Sequence, residues 1–176
     1  MTQTYNDEWT IGSIAFFSRL IIGTGKFKDL SQLQKTIQAC QPSLVTIAIR
    51  RFQQEIGPAN SNLLQIICTN NALILPNTAG SKTPNEAIRL AFLGREIVKG
   101  LEQKDPNFVK LEVIPDSTYL MPDPLGTVKA ADYLVKKGFK VFPYINADPI
   151  LARHLEELGC VTIMPLGSSI GSNQGL

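Results

Sequence analysis

Phe108-Val109-Lys110-Leu111-Glu112-Val113-Ile114 is a β-strand sequence with two unlike faces. Side chains alternate along a strand, so Val109, Leu111 and Val113 share one side and Phe108, Lys110, Glu112 and Ile114 the other. The first set is apolar and suits packing under helices. The second aims a lysine and a carboxylate, roughly 7 Å apart along the strand, at the opposite face of the sheet.

Five other short apolar runs flank this one: Leu20–Gly23, Leu44–Ile49, Ala72–Leu75, Lys140–Ile145 and Val161–Leu166. Each has strand length and polar or Gly/Pro punctuation. Between the six lie amphipathic stretches near residues 29–41, 60–70, 84–101, 124–137 and 149–158 that predict helices. Thr83-Pro84-Asn85-Glu86 combines an N-cap, a proline at the first helical position and a Glu placed to close a capping box. Asp123-Pro124 and Asp148-Pro149 repeat the cap-and-proline device, and Gly138 and Gly159 stand where left-handed C-terminal caps belong.

Strands alternating with helices predict βα units and a parallel sheet in one α/β domain over residues 1–176. Either an open doubly wound sheet or a closed (β/α)8 barrel meets that pattern. Ahead of it, Trp9 to Phe17 predicts a small hairpin turning at Gly12-Ser13, a lead-in suited to plugging one end of a barrel. A doubly wound nucleotide binder calls for Gly-x-Gly-x-x-Gly after its first strand. Gly23-Thr-Gly-Lys-Phe-Lys28 lacks the third glycine and the spacing of a phosphate-binding P-loop, so it is a weak nucleotide motif and reads rather as a flexible turn off a strand end.

Composition narrows the class further. With 176 residues, 44% apolar, 18% charged and a formal charge of +2, the chain is neither disordered nor a basic nucleic-acid binder. The N-terminal Met1-Thr-Gln-Thr-Tyr-Asn-Asp-Glu8 carries two acids and no base, unlike a secretory or transit leader. Ile14–Gly23 is far too short to span a bilayer and is broken by Arg19. Cys40, Cys68 and Cys160 are odd in number and far apart, and are expected as buried small hydrophobes in a reducing, cytosolic setting.

On a barrel, the face bearing Lys110 and Glu112 is the interior. Desolvation disfavours the charged form of an amine and frees it as a nucleophile toward a carbonyl. A carboxylate two residues on can shuttle the protons that imine formation and enolisation require. The same pattern also fits a structural ion pair or an edge strand with one wet face. His154, between Arg153 and Glu156, reads as a solvated helix residue, and Lys136-Lys137 as the basic end of a helix. No His/Cys/Asp cluster has metal-ligand spacing, so neither a metal nor a cofactor is expected. Gly167-Ser-Ser-Ile-Gly-Ser-Asn-Gln-Gly175 is rich in small residues whose N–H groups can cradle an anion, and fits a flexible end as well.

At these residues the chain resembles the bacterial and plastid thiazole synthases of thiamine biosynthesis. The resemblance runs from about Thr10 to the last residue. It rests on Arg19-Leu-Ile-Ile-Gly-Thr-Gly-Lys-Phe27, Leu75-Pro-Asn-Thr-Ala-Gly80, Lys110-Leu-Glu-Val-Ile114, Leu120-Met-Pro-Asp-Pro124, Leu155-Glu-Glu-Leu-Gly-Cys160, Met164-Pro-Leu-Gly167 and Ile170-Gly-Ser-Asn-Gln-Gly-Leu176. It implies a (β/α)8 TIM barrel, commonly a tetramer, that makes the thiazole phosphate ring. The implied substrates are 1-deoxy-D-xylulose 5-phosphate, dehydroglycine and sulfur carried as the C-terminal thiocarboxylate of a small ubiquitin-like protein.

The resemblance further implies that Lys110 forms an imine with the sugar ketone, that Glu112 acts as acid and base, and that Gly171 contacts the sugar phosphate. Ser168-Ser169 replaces a frequent Ala-Pro, and Met121 a common leucine. The expected barrel has eight βα units and six strands are counted here, so the C-terminal units are expected to be missing. With them would go a catalytic aspartate and much of the phosphate grip. Two other readings accompany this one: an inactive remnant that only binds the sulfur carrier or a sister subunit, and a lysine-imine aldolase acting on another sugar phosphate. The expected compartment is the cytoplasm or, for a plastid protein, the stroma, with no membrane or nucleic-acid partner.

Overall fold

A computed structural model describes residues 8–54, 58–101 and 103–175. The leader reading on Met1–Asp7 and the motif's last residue, Leu176, therefore lie outside the described residues. In chain order the elements begin with β1 (Trp9–Ile11), β2 (Ile14–Phe16), β3 (Ile21–Gly23), α1 (Leu30–Cys40) and β4 (Leu44–Ala48). Next come α2 (Ile49–Gln54), α3 (Pro58–Thr69), β5 (Leu73–Asn77), α4 (Pro84–Lys99) and β6 (Phe108–Leu111). The last are α5 (Pro124–Lys136), β7 (Lys140–Ile145), α6 (Pro149–Glu157) and β8 (Met164–Pro165).

The described residues fall into two compact units, one within residues 1–47 and 55–75, the other comprising residues 48–54 and 76–176. In the first, β1 and β2 form the expected antiparallel hairpin, Trp9 opposite Phe16, with Gly12 at φ 59° in its turn. β3 runs parallel to β4, Ile21 beside Leu44, and the Leu73 N–H at the start of β5 donates to the Ser43 carbonyl at 2.9 Å. Leu33 and Ile37 of α1 are buried, as are Leu44, Val45 and Ile67. Asp29 starts α1 by accepting from the Gln32 N–H at 2.8 Å.

The second unit holds the end of β5 followed by β6, β7 and β8, all parallel. Within each unit the strands lie side by side in the order of the chain, 3-4-5 and 5-6-7-8. A doubly wound sheet reverses its order at a switch point, whereas a (β/α)8 barrel never does. The fold is thus α/β with the strand order of a barrel, and six of a barrel's eight parallel strands are found among the described residues.

Val109, Leu111 and Val113 pack on Ala87 and Ala91 of α4, on Ala130, Ala131 and Leu134 of α5, and on Val141 and Ile145 of β7. Alanines let the helices approach closely, and each fully buried Val or Leu is worth about 1.5–3 kcal/mol. That anchorage leaves the strand's other face free to carry charge. The capping prolines behave as their sequence predicts: Thr83, Asp123 and Asp148 each accept a backbone N–H of the first turn. Gly138 and Gly159 sit at φ 78° and 99°, and after Gly138 the Phe139 N–H reaches back to the Leu134 carbonyl at 3.0 Å.

Several expectations need correction. The ladder of β6 ends at Leu111, because the next backbone groups bond elsewhere: Glu112 to the Thr78 hydroxyl and Ile114 to the Ser81 carbonyl. The run Leu44–Ile49 stops as a strand at Ala48, and Ile49 opens α2, a helix not foreseen. β8 is confined to Met164–Pro165, although the Val161 N–H still donates to the Val141 carbonyl at 3.3 Å and the Leu166 N–H to the Ile145 carbonyl at 2.8 Å on either side of it. Glu86 does not close the capping box on Thr83; its carboxylate accepts from the Lys82 N–H at 2.9 Å and meets the Arg50 guanidinium at 3.3 Å. The cysteines are not all buried: Cys40 and Cys160 are half-buried, and Cys68 lies on the outer side of α3 beside buried Ile67. Burial pushes the Cys160 thiol up to about 12.

Candidate active site

The sequence places Lys110 and Glu112 on one face, and the backbone keeps them there although the ladder has ended. Parallel pairing sets Asn77 of β5 on one side of Lys110 and Phe142 of β7 on the other. Beyond β6 the chain stays extended because a single buried hydroxyl, Thr78 Oγ1, both accepts from the Glu112 N–H at 2.8 Å and donates to the Glu112 carbonyl at 2.9 Å. A hydroxyl can do both at once, so Thr78 substitutes for a ladder rung.

Glu112 is 7% exposed, one of few buried ionisable residues among those described. Its Oε1 takes a hydrogen bond from Lys110 Nζ and a second from Asn77 Nδ2 at 3.0 Å. The Asn77 amide is oriented by its own Oδ1, which accepts from the Ala79 N–H at 2.7 Å. Lys110 keeps 18% of its side chain accessible, so the amine is enclosed yet reachable. On the same face, Phe108 and Phe142 meet edge to face at 5.5 Å and form a dry floor. Tyr144, one step further along β7, lies under the ammonium with its ring centroid 5.6 Å from Nζ. Burial, and then the Glu112 charge, push the Tyr144 hydroxyl above its ordinary range.

A primary amine with a carboxylate at hand, an apolar floor and partial access to solvent is equipped to condense with a ketone or aldehyde. Asn77 and Thr78 fall within a motif quoted above, yet no role attached to them, and Tyr144 was not singled out. The available signal was a polar Asn-Thr pair closing the apolar run of β5. The remaining sequence candidates have settings of their own. Gly171 is exposed, at φ 78°, in a turn closed by the Ser172 N–H to the Ser169 carbonyl at 3.1 Å. His154 is exposed on α6. Gly23-Thr-Gly-Lys-Phe-Lys28 is a turn: Thr24 Oγ1 donates to the Thr46 carbonyl at 3.0 Å and Lys26 takes φ 66°.

Comparison with known proteins adds an independent line. The family profile described as "Thiazole biosynthesis protein ThiG" matches residues 10–176. A protein of the red alga Pyropia yezoensis, described as thiazole synthase, is 57% identical over 170 residues, covering 97% of this chain and 61% of its own length. A thiazole synthase of Synechococcus sp. is 54% identical over 174 residues, covering 99% of this chain and 63% of its own. The chain thus spans about three-fifths of the curated relatives it matches. Among solved structures, the Amycolatopsis orientalis BexX/CysO complex superposes with a TM-score of 0.76 at 24% identity, over 94% of this chain and 65% of that one, a likeness of fold. Among the described residues, no helix is long and apolar enough to cross a membrane.

Proposed function

The chain belongs to the family of the thiazole biosynthesis protein ThiG, and from that premise we propose that it carries the imine-forming site of a thiazole synthase. The observation that supports this most is the pairing of Lys110 with the buried Glu112 on the face away from the helices. The substrate is 1-deoxy-D-xylulose 5-phosphate. Glu112 takes a proton from the Lys110 ammonium, and the freed nitrogen attacks the ketone carbon to give a carbinolamine. Glu112 returns that proton to the departing hydroxyl, which leaves as water, and a protonated imine remains. The carboxylate then removes a proton from the neighbouring carbon, enolising the sugar for reaction with the sulfur donor and dehydroglycine.

Asn77 holds Glu112 in register with Nζ throughout, and the Phe108–Phe142 floor limits water at the imine carbon. Gly171, with its left-handed backbone and open surroundings, offers main-chain contact to the sugar phosphate. Sulfur arrives on a ubiquitin-like carrier as a terminal thiocarboxylate; that the fold's solved neighbour was crystallised with a partner, CysO, supports such docking. The assembly is a homotetramer in the cytoplasm or plastid stroma.

Incubation with deoxyxylulose phosphate and borohydride tests the reading. Reduction of the imine fixes the sugar to the protein, and peptide mass spectrometry is expected to find the added mass on Lys110. A folded protein that acquires no adduct, or acquires it at another lysine, overturns the assignment.

A further inference from the structure

The Lys110 nitrogen is cationic at the start of the reaction just described and again as the protonated imine, so whatever faces it tunes both states. Glu112 faces it from the continuation of β6, the neutral Asn77 amide neighbours the pair from β5, and Tyr144 faces it from β7. Tyr144 is buried, and Nζ lies over its ring at 5.6 Å from the centroid. An aromatic face attracts a cation within about 6 Å, more strongly where water is excluded.

The ring is also held in place. Tyr144 Oη donates to the Leu120 carbonyl at 3.4 Å. Leu120 itself has φ 56°, a left-handed conformation unusual for a leucine, with its N–H on the Asp116 carbonyl at 3.2 Å. Non-glycine residues persist there only where their surroundings impose it. The loop that follows Glu112 is therefore tied to the β7 ring over which the Lys110 amine lies.

We propose that Tyr144 is a positioning residue for the Lys110 nitrogen: its ring face, held chiefly by burial and only secondarily by the hydroxyl link to Leu120, stabilises the cationic amine and imine. The proposal rests on the reading of Lys110 as nucleophile. Burial and the Glu112 charge keep the phenol protonated, so it serves as a neutral donor throughout.

The test compares two rings of like shape in the whole chain, Tyr144→Phe and 3,4,5-trifluorophenylalanine introduced at position 144. Fluorination cancels the negative charge of the ring face without emptying the site. The pH dependence of Lys110 acetylation by acetic anhydride, read by peptide mass spectrometry, reports the amine directly and needs no catalysis. The trifluoro variant is expected to titrate about half a unit to one unit lower than Tyr144→Phe. Tyr144→Phe is expected to stay within a few tenths of the parent. Equal midpoints for the two rings, or a Tyr144→Phe shift as large as that of the trifluoro variant, overturn the proposal. An absent borohydride adduct in the parent alongside a shifted midpoint would instead count against the imine reading and leave the ring's effect standing.

Discussion

Lys110→Met keeps most of the side-chain volume and deletes the charge opposite Glu112. The carboxylate is left 7% exposed with the Asn77 amide bond at 3.0 Å. Stripping one partner from a fully buried pair costs about 3–5 kcal/mol; with 18% of the Lys110 side chain accessible to solvent, about 2–3 kcal/mol is expected. Glu112→Leu strands the ammonium and orphans the Asn77 amide, again about 2–3 kcal/mol. The double variant contains no unpaired charge, and the remaining amide accounts for about 1–2 kcal/mol. Independent effects would sum to about 4–6 kcal/mol, so the cycle predicts a coupling of about 3 kcal/mol. Urea unfolding of the four proteins at neutral pH and low ionic strength, followed by circular dichroism, measures it. A coupling below about 0.5 kcal/mol would mean that the two groups do not interact, and the case for a proton relay between them would fall.

Other substitutions probe the supports. Thr78→Val removes the hydroxyl that serves both backbone groups of Glu112, so a loss of about 2–4 kcal/mol in urea is expected, with borohydride trapping slowed about tenfold or more. Gly94→Ala brings a Cβ to 2.6 Å from Pro76 Cβ and 3.2 Å from Ile49 Cγ1; overpacking of about 1–3 kcal/mol exceeds the roughly 1 kcal/mol of helix propensity gained, and the melting temperature falls. Gly138→Ala meets nothing within 4 Å, yet φ 78° alone makes it cost about 1–2 kcal/mol, measurable by the same melt. Burial pushes the Asp105 carboxyl up, but the Lys140 ammonium at 2.5 Å and the Asn107 N–H outweigh it and hold the group below its ordinary range. A carboxylate depressed on folding stabilises above its unfolded value and loses that contribution as pH falls through the folded one. Asp105→Asn should therefore unfold more easily than the parent at pH 7, with the gap closing below about pH 4 in urea titrations at each pH.

The order of strands and helices was legible because its signals are local. Apolar composition, strand length and polar or Gly/Pro punctuation mark the runs, Thr83-Pro84, Asp123-Pro124 and Asp148-Pro149 mark helix starts, and Gly138 and Gly159 mark ends. Where local signals conflicted, reading failed: Ile49 continues the apolar run of β4, yet it belongs to α2, whose Arg50 is held by Glu86 from the distant α4. The site divides along the same line. Lys110 and Glu112 share a face by alternation within one strand, which needs no partner to be seen. Asn77, Thr78 and Tyr144 act only through register, which is a property of two strands at once. Asn77 stands beside Lys110 because β5 and β6 align there, and Phe142 flanks it because β7 aligns likewise. Slipping β5 by one residue would set Pro76 or Thr78 beside Lys110, turn the Asn77 amide to the other face and free Glu112 of its orienting donor. The pairing of Lys110 with Glu112 could be read from a single strand; the groups that hold the carboxylate in place exist only once three strands have chosen their alignment.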